Sequence, residues 1–373
     1  MQPPGPVNAL SQGRAAREAL CLLLAAEVTG APHPSPDAGL WPAMVRLADR
    51  ERLLPALASA LRRRRALHIP DGLGGFLDSV LSRARRRNEL LCRQLAEAAT
   101  ILNDIDIQPV LLKGAIRLVD GLYADPGVRV LCDLDLLVSG DRLVEAQTCM
   151  VAAGCREQLP GCPPPPDAHH APPLLREGWL VPVELHRSLS VEPFAGMLPP
   201  EEMHARCVGV DLAGAKALIP SREDQLLHLV LHALIHHAGH AKARLPLAHL
   251  FESWLLLRAS GGEAGATFLT RLRRLGHGGL GAAWLTRTAE LFGEPALAPP
   301  GLCAASRLLL ARVRAQERWP WLERAGRLAG HFAHALHRAT HSPARRVRLT
   351  RGLVDPTFWN RRRDELLRLL RQP

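Results

Sequence analysis

The chain has 373 residues, 47% of them hydrophobic and 22% charged, with a mean hydropathy of −0.01. That length buries a full core and suits two or three domains. No apolar run approaches the roughly 20 residues that cross a bilayer, which excludes a membrane span and points to a cytoplasmic protein. The short apolar segment at 19–26 reads as a turn of core helix, not a leader.

The formal net charge is +11, yet only three of the 47 cations are lysines, Lys113, Lys216 and Lys242. The arginines are spread along the whole chain, and aromatic residues make up only 4% of it. A stacking platform for bases is therefore not legible, and an anionic small substrate suits the charge at least as well as nucleic acid. The eight cysteines show no zinc-site spacing, and in a chain of this length they form no disulfide framework.

Apolar residues at three- and four-residue intervals predict helices over 15–28, 41–60 and 76–102, separated by Pro- and Gly-containing stretches. The pattern changes near residue 107. Val110, Leu111 and Leu112 form a strand that runs into Lys113-Gly114 and a helix over 115–123. Ala124-Asp125-Pro126-Gly127 is a turn, and 128–138 reads as a second strand. Asp141 suits the cap of a helix over 142–153. Four consecutive prolines then exclude regular structure from the loop 161–173. A third strand is predicted over 179–189. From Ser221, in capping-box spacing with Asp224, the chain is helical again and ends in basic clusters at 345–351 and 361–363. The fold class is α+β, with three parts: an N-terminal helical region (1–106), a small mixed-sheet core (107–215) and a C-terminal helical domain (216–373).

Two carboxylates interrupt the apolar run Val130-Leu131-Cys132-Asp133-Leu134-Asp135-Leu136-Leu137-Val138. Residues two apart on a strand share a face, so Asp133 and Asp135 are expected side by side. Like charges so placed repel unless a cation lies between them, and magnesium suits oxygen ligands completed by substrate phosphates. The alternative is a pair of solvated or arginine-paired acids at a strand end. Lys113 and Gly114, at a strand-to-helix junction, can receive a phosphate or can form an ordinary turn. Glu184 is a third acid in an apolar strand and shares a face with His186, which is either a ligand contact or a structural hydrogen bonder. Arg129 can order its loop through Asp133, contact a phosphate or lie on the surface.

These residues carry a resemblance. Leu111-Leu112-Lys113-Gly114, then Tyr123-Ala124-Asp125-Pro126-Gly127-Val128-Arg129, then Asp133-Leu134-Asp135-Leu136-Leu137-Val138 resemble the uncharacterised bacterial nucleotidyltransferase family of the polymerase-beta-like superfamily. The segment Glu184-Leu185-His186-Arg187 resembles that family's acid-x-His segment, and His169-His170 lie where the family often carries loop histidines. The resemblance is specific over 88–190. It implies a nucleotidyltransferase core in which Asp133 and Asp135 bind Mg2+, with Glu184 as the third metal-site and catalytic acid. It also implies that Lys113 and Gly114 receive a nucleoside triphosphate, with Arg129, His186 and His232 at the nucleotide.

His228, His232, His236 and His240 recur every four residues, so they are expected on one helix face. No Glu lies between them in the metalloprotease pattern, and their neighbours are apolar. A helix packed beside the nucleotide cleft, with His232 reaching it, is favoured over a dedicated zinc or copper site. The reading is a magnesium-dependent enzyme that moves a nucleoside monophosphate from a nucleoside triphosphate to an unidentified acceptor, whether small molecule, peptide or protein. Its rival is a non-catalytic nucleotide-binding or scaffold protein with the same fold.

Overall fold

The computed structural model describes residues 6–330, apart from 33–34, 63–66, 159–167, 191–194, 237–238, 262, 320 and 327–328. Most of the proline loop, His237 and both basic clusters at the C-terminal end lie outside the described residues.

Helices come first, in the order α1 (Pro6–Thr29), α2 (Trp41–Arg50), α3 (Leu54–Arg62) and α4 (Leu73–Asn103). The single helix predicted over 41–60 is in fact two. Arg52 takes a positive φ of 58°, and the Leu53 amide donates back to the Ala48 carbonyl at 2.6 Å, which closes α2. Pro55 then sits in the first turn of α3, where its missing N–H costs nothing.

The α/β part follows: β1 (Val110–Leu111), α5 (Lys113–Ile116), β2 (Leu134–Leu137), α6 (Leu143–Ala152), β3 (Arg156–Glu157), β4 (Leu174–Leu175) and β5 (Val183–His186). After α7 (Pro200–His204), β6 (Val208–Leu212) and β7 (Ala215–Ile219) form a hairpin. Its two central residues, Ala213 and Gly214, both have positive φ, as the tight hairpin turn requires. The seven strands form one mixed sheet, ordered β3-β4-β5-β2-β1-β7-β6. Sequence periodicity did not reveal the hairpin, and the sheet runs past residue 215 to Ile219.

Other expected elements are shorter. The predicted helix over 115–123 is one turn, ending at Ile116, after which the backbone tightens into i→i−3 turns (Leu118 N–H to Ala115 O, Val119 N–H to Ile116 O). The predicted strand over 128–138 pairs only over Leu134–Leu137, and that over 179–189 only over Val183–His186. Asp141 is not a helix cap. It accepts from Ser139 in a 3-10 turn ahead of α6.

The C-terminal helices are α8 (Arg222–Leu231), α9 (Gly239–Lys242), α10 (Leu247–Ala259), α11 (Glu263–Arg274), α12 (Gly278–Phe292) and α13 (Ala304–Arg318). The Ser221 hydroxyl accepts from the Asp224 amide, capping α8 as its spacing predicts. Helices from both ends of the chain share one core, in which Leu20, Met44 and Leu57 join Trp254, Trp284 and Leu310. A second core lies between the sheet and one side of α4 and α6, with Leu91, Leu95, Leu134, Leu136, Val183 and Leu185. At 31 residues, α4 is long enough to serve both: Leu77 and Leu81 enter the first core, Leu91 and Leu95 the second. No described helix is long and apolar enough to cross a membrane.

The irregular segment between α5 and β2 is pinned at both ends. Arg85 of α4 pairs with Asp125, and the Asn88 side-chain amide donates to the carbonyls of Pro126 (2.6 Å) and Arg129 (2.9 Å). From α10, the buried Glu252 accepts from Arg117 at 2.9 Å, Arg129 at 2.8 Å and the Tyr123 hydroxyl at 3.3 Å. Burial pushes the Glu252 carboxyl up, but Arg129 and Arg117 outweigh it and hold the group at about 2.

Two measurements follow from this anchoring. A Cβ at Gly127 would lie 2.7 Å from the Arg85 side chain and 2.9 Å from its backbone nitrogen. Gly127→Ala is therefore expected to destabilise by about 1–3 kcal/mol in denaturant unfolding. Glu252→Gln leaves two buried guanidinium groups short of a countercharge and is expected to cost about 3–5 kcal/mol. Because folding depresses the Glu252 pKa, its contribution is complete above about pH 4.5 and is lost as pH falls toward about 2. The parent should lose roughly 3 kcal/mol more than Glu252→Gln across that window.

Candidate functional site

Strand register assembles the site. β2 and β5 run parallel with Asp135 opposite Glu184, so the two carboxylates are neighbours across the sheet. His186, two residues beyond Glu184, shares its face. The alternate residues Leu134, Leu136, Val183 and Leu185 point into the sheet core, which fixes the register.

Asp135 is 1% exposed. Its Oδ1 accepts from Lys113 Nζ at 2.6 Å and lies 2.7 Å from His186 Nε2. Burial pushes the Asp135 carboxyl up, but the His186 hydrogen bond and Lys113 outweigh it and hold it well below the usual carboxylate range. Glu184, 3.5 Å from His186 Nε2, follows the same pattern: burial raises its pKa, and the His186 contact more than offsets the rise. Burial would lower the His186 pKa, but its bonds to Asp135 and Glu184 raise it. Lys113 itself sits at a positive φ of 49°, as the first residue of α5, with Leu112 between it and β1.

Asp133 is half-buried and lies just before β2, outside the ladder. Burial and then the Asp135 charge raise its pKa, so this acid is the least neutralised of the three. It borders a cavity of about 460 Å³, also lined by Lys113, Gly114, Arg129, Glu184, His228 and His232.

Among the described residues, ligand atoms of Asp135, Glu184 and His186 lie within 4.8 Å of one another and could hold a metal ion. Asp133 is outside that group, whereas His186 is inside it. The donor set suits a hard cation: Asp135 Oδ2 is buried without a hydrogen-bond partner among the described residues, and the neighbouring Asp133 and Glu184 line the cavity.

The other sequence candidates fall as follows. Gly114 borders the cavity, but a Cβ there would also lie 3.0 Å from two carbons of Leu131, so packing alone asks for glycine. Arg129 reaches the cavity while bound to Glu252, not to Asp133. His169 and His170 lie tilted beside His186, at 5.3 and 5.2 Å between ring centroids.

The histidine repeat does not form one helix face. His228 belongs to α8, but His232–His236 is a π-helical turn, whose wider pitch breaks the four-residue register before His240 in α9. His232 and His228 both line the cavity. Burial, then the charges of Lys113 and His186, push His228 down to about 3, so its imidazole is neutral, and its Nε2 has no hydrogen-bond partner among the described residues. The sequence flagged His228 through the repeat, but only as a packing residue. Glu252 carried no such signal, since a single acid in an apolar helix names no partner.

No curated protein matches the chain. The solution structure of the antibiotic-resistance factor ANT(2'')-Ia aligns with a TM-score of 0.35 at 16% identity, over 51% of this chain and 95% of that one. A likeness of that size carries no argument. A family described as uncharacterised nucleotidyltransferase matches residues 37–293. That span takes in α2–α4, the whole sheet, the cavity and α8–α12, and the chain belongs to this nucleotidyltransferase family.

Proposed function

We propose that this chain is a magnesium-dependent enzyme that transfers a nucleoside monophosphate from a nucleoside triphosphate to an acceptor. The observation that carries the reading is the buried Oδ2 of Asp135, without a hydrogen-bond partner among the described residues, next to Glu184 and Asp133, which line the cavity. Asp133, Asp135 and Glu184 would hold the ion, with His186 fixing the Asp135 carboxylate through its Nε2. Magnesium there supplies the positive charge that offsets the acids and the nucleotide phosphates. Lys113 adds a cation at the same oxygen cluster, close enough to exchange Asp135 for a phosphate. Glu184, an acid that is ionised and only partly enclosed, takes the proton of the acceptor hydroxyl. His232 and neutral His228 face the same cavity as hydrogen-bonding groups for the nucleotide or the acceptor.

One observation favours the non-catalytic alternative. Lys113 and His186 already neutralise Asp135 without any ion. Two variants separate the readings. Asp133→Asn removes repulsion from Asp135, so it should keep or raise Tm while weakening magnesium-dependent nucleotide affinity by roughly ten-fold or more, read by calorimetry with each of the four triphosphates. Parent-like affinity in Asp133→Asn would take Asp133 out of the metal site. Glu184→Gln should keep nucleotide affinity within a few-fold but lose most transfer of label into cell-extract acceptors. A parent that binds nucleotide yet transfers nothing into any extract would favour the scaffold.

A further inference from the structure

Four cationic side chains line the cavity, and three are engaged inside the protein. Lys113 is held by Asp135, Arg117 by Glu252 and Asp120, and Arg129 by Glu252. The fourth, Arg52, comes from the turn between α2 and α3. Its guanidinium makes no hydrogen bond or ion pair with the described residues, and it is exposed where the cavity meets solvent.

The backbone at Arg52 sharpens the point. Its φ of 58° lies in the left-handed region, one residue past the C-cap of α2. Glycine usually fills that position because a Cβ is strained there. A glycine would close this turn with less strain, since the bonds that shape it (Arg52 N–H to Asp49 O and Leu53 N–H to Ala48 O) use only backbone. The long charged side chain thus contributes nothing visible to the turn and reaches into the cavity instead.

We infer that Arg52 binds an anionic group of the substrate, a phosphate or carboxylate, where the α2–α3 turn lines the cavity. A guanidinium fork suits such oxyanions by paired hydrogen bonds. This rests on the nucleotidyl-transfer reading only for the identity of the anion. Two sources share the chemistry: the polyphosphate of the nucleotide, or a negative group on the acceptor.

The test compares the full-length parent with Arg52→Gly, Arg52→Lys and Arg50→Gln. Arg50 is a neighbouring cation outside the cavity, paired to Glu51, so its variant controls for net charge. Calorimetry with inorganic pyrophosphate and with each nucleoside triphosphate, magnesium present, reads the first source. Label transfer at limiting extract reads the second. The Arg52→Gly fold should hold, with Tm within about 2 °C of the parent. Its affinity for pyrophosphate and triphosphate should fall roughly ten- to hundred-fold, with Arg52→Lys intermediate and Arg50→Gln unchanged. Unchanged affinities with a raised KM for the acceptor extract would place the anion on the acceptor and keep the assignment. Pyrophosphate binding lost in Arg52→Gly, in a parent that transfers no label, would keep the anion site and remove the transfer reading. Equal behaviour of Arg52→Gly and parent in every assay, including no binding by either, would overturn it.

Discussion

Three carboxylates crowd together on adjacent strands and the loop that feeds them, and the surrounding structure answers that crowding. Side by side, Asp135 and Glu184 would repel and would each lose hydration. His186 bridges them from their own sheet face, and Lys113 closes on the same Asp135 oxygen. These two partners sit on one oxygen, so the other remains buried and unpaired. Asp133 gains no comparable partner, and its pKa rises where those of its two neighbours fall. The site is thus compensated in part and left short of positive charge at one edge.

Holding the acids in place takes more than the sheet. Asp133 lies at the end of a long irregular segment whose own hydrogen bonds would not fix it. Anchors from two different cores do so: Arg85 and Asn88 on α4 grip the Asp125–Arg129 stretch, and Glu252 on α10 gathers Arg117, Tyr123 and Arg129. A buried acid with two arginines costs desolvation, and its return here is position more than stability. Because α10 belongs to the helical core and α4 to both, the segment registers the two halves of the molecule against each other at the cavity.

Much of this was legible in the sequence, for stated reasons. Long helices such as α4 declare themselves by repeated three- and four-residue spacing, and Ser221 caps α8 as its chemistry demands. Asp133, Asp135 and Glu184 stood out because charge is rare inside apolar strands, and all three do face one another's surroundings in space. Pairing hid the rest. The extent of β2 depends on where β1 and β5 end, and Asp133 falls outside the ladder although its local pattern continues the strand. In the β6–β7 hairpin β6 is mostly exposed, and β7 alternates in burial but carries it on small Ala215 and Ala217 with an apolar Leu218 on the other face, so the strands left little signal. The histidine repeat misled because spacing assumes an α-helix, and a π turn intervenes.

The chain's basicity takes on a different meaning once its partners are seen. Arg117 and Arg129 are bound by Glu252, Arg206 and Arg271 by Asp224, and Arg287 by Glu290 and Glu317. Each of these arginines fixes one element against another, work for which a planar, permanently charged fork is suited. A groove that tracks a nucleic-acid backbone needs the opposite: cations in a row with no internal acids to satisfy. Around the cavity the arrangement is mixed: Asp133 and Glu184 come from the sheet and the loop before it, Asp224 and Glu252 from helices, and Arg117 and Arg129 are engaged by Glu252. Among the described residues, such a lining presents no uniformly positive surface at the cavity.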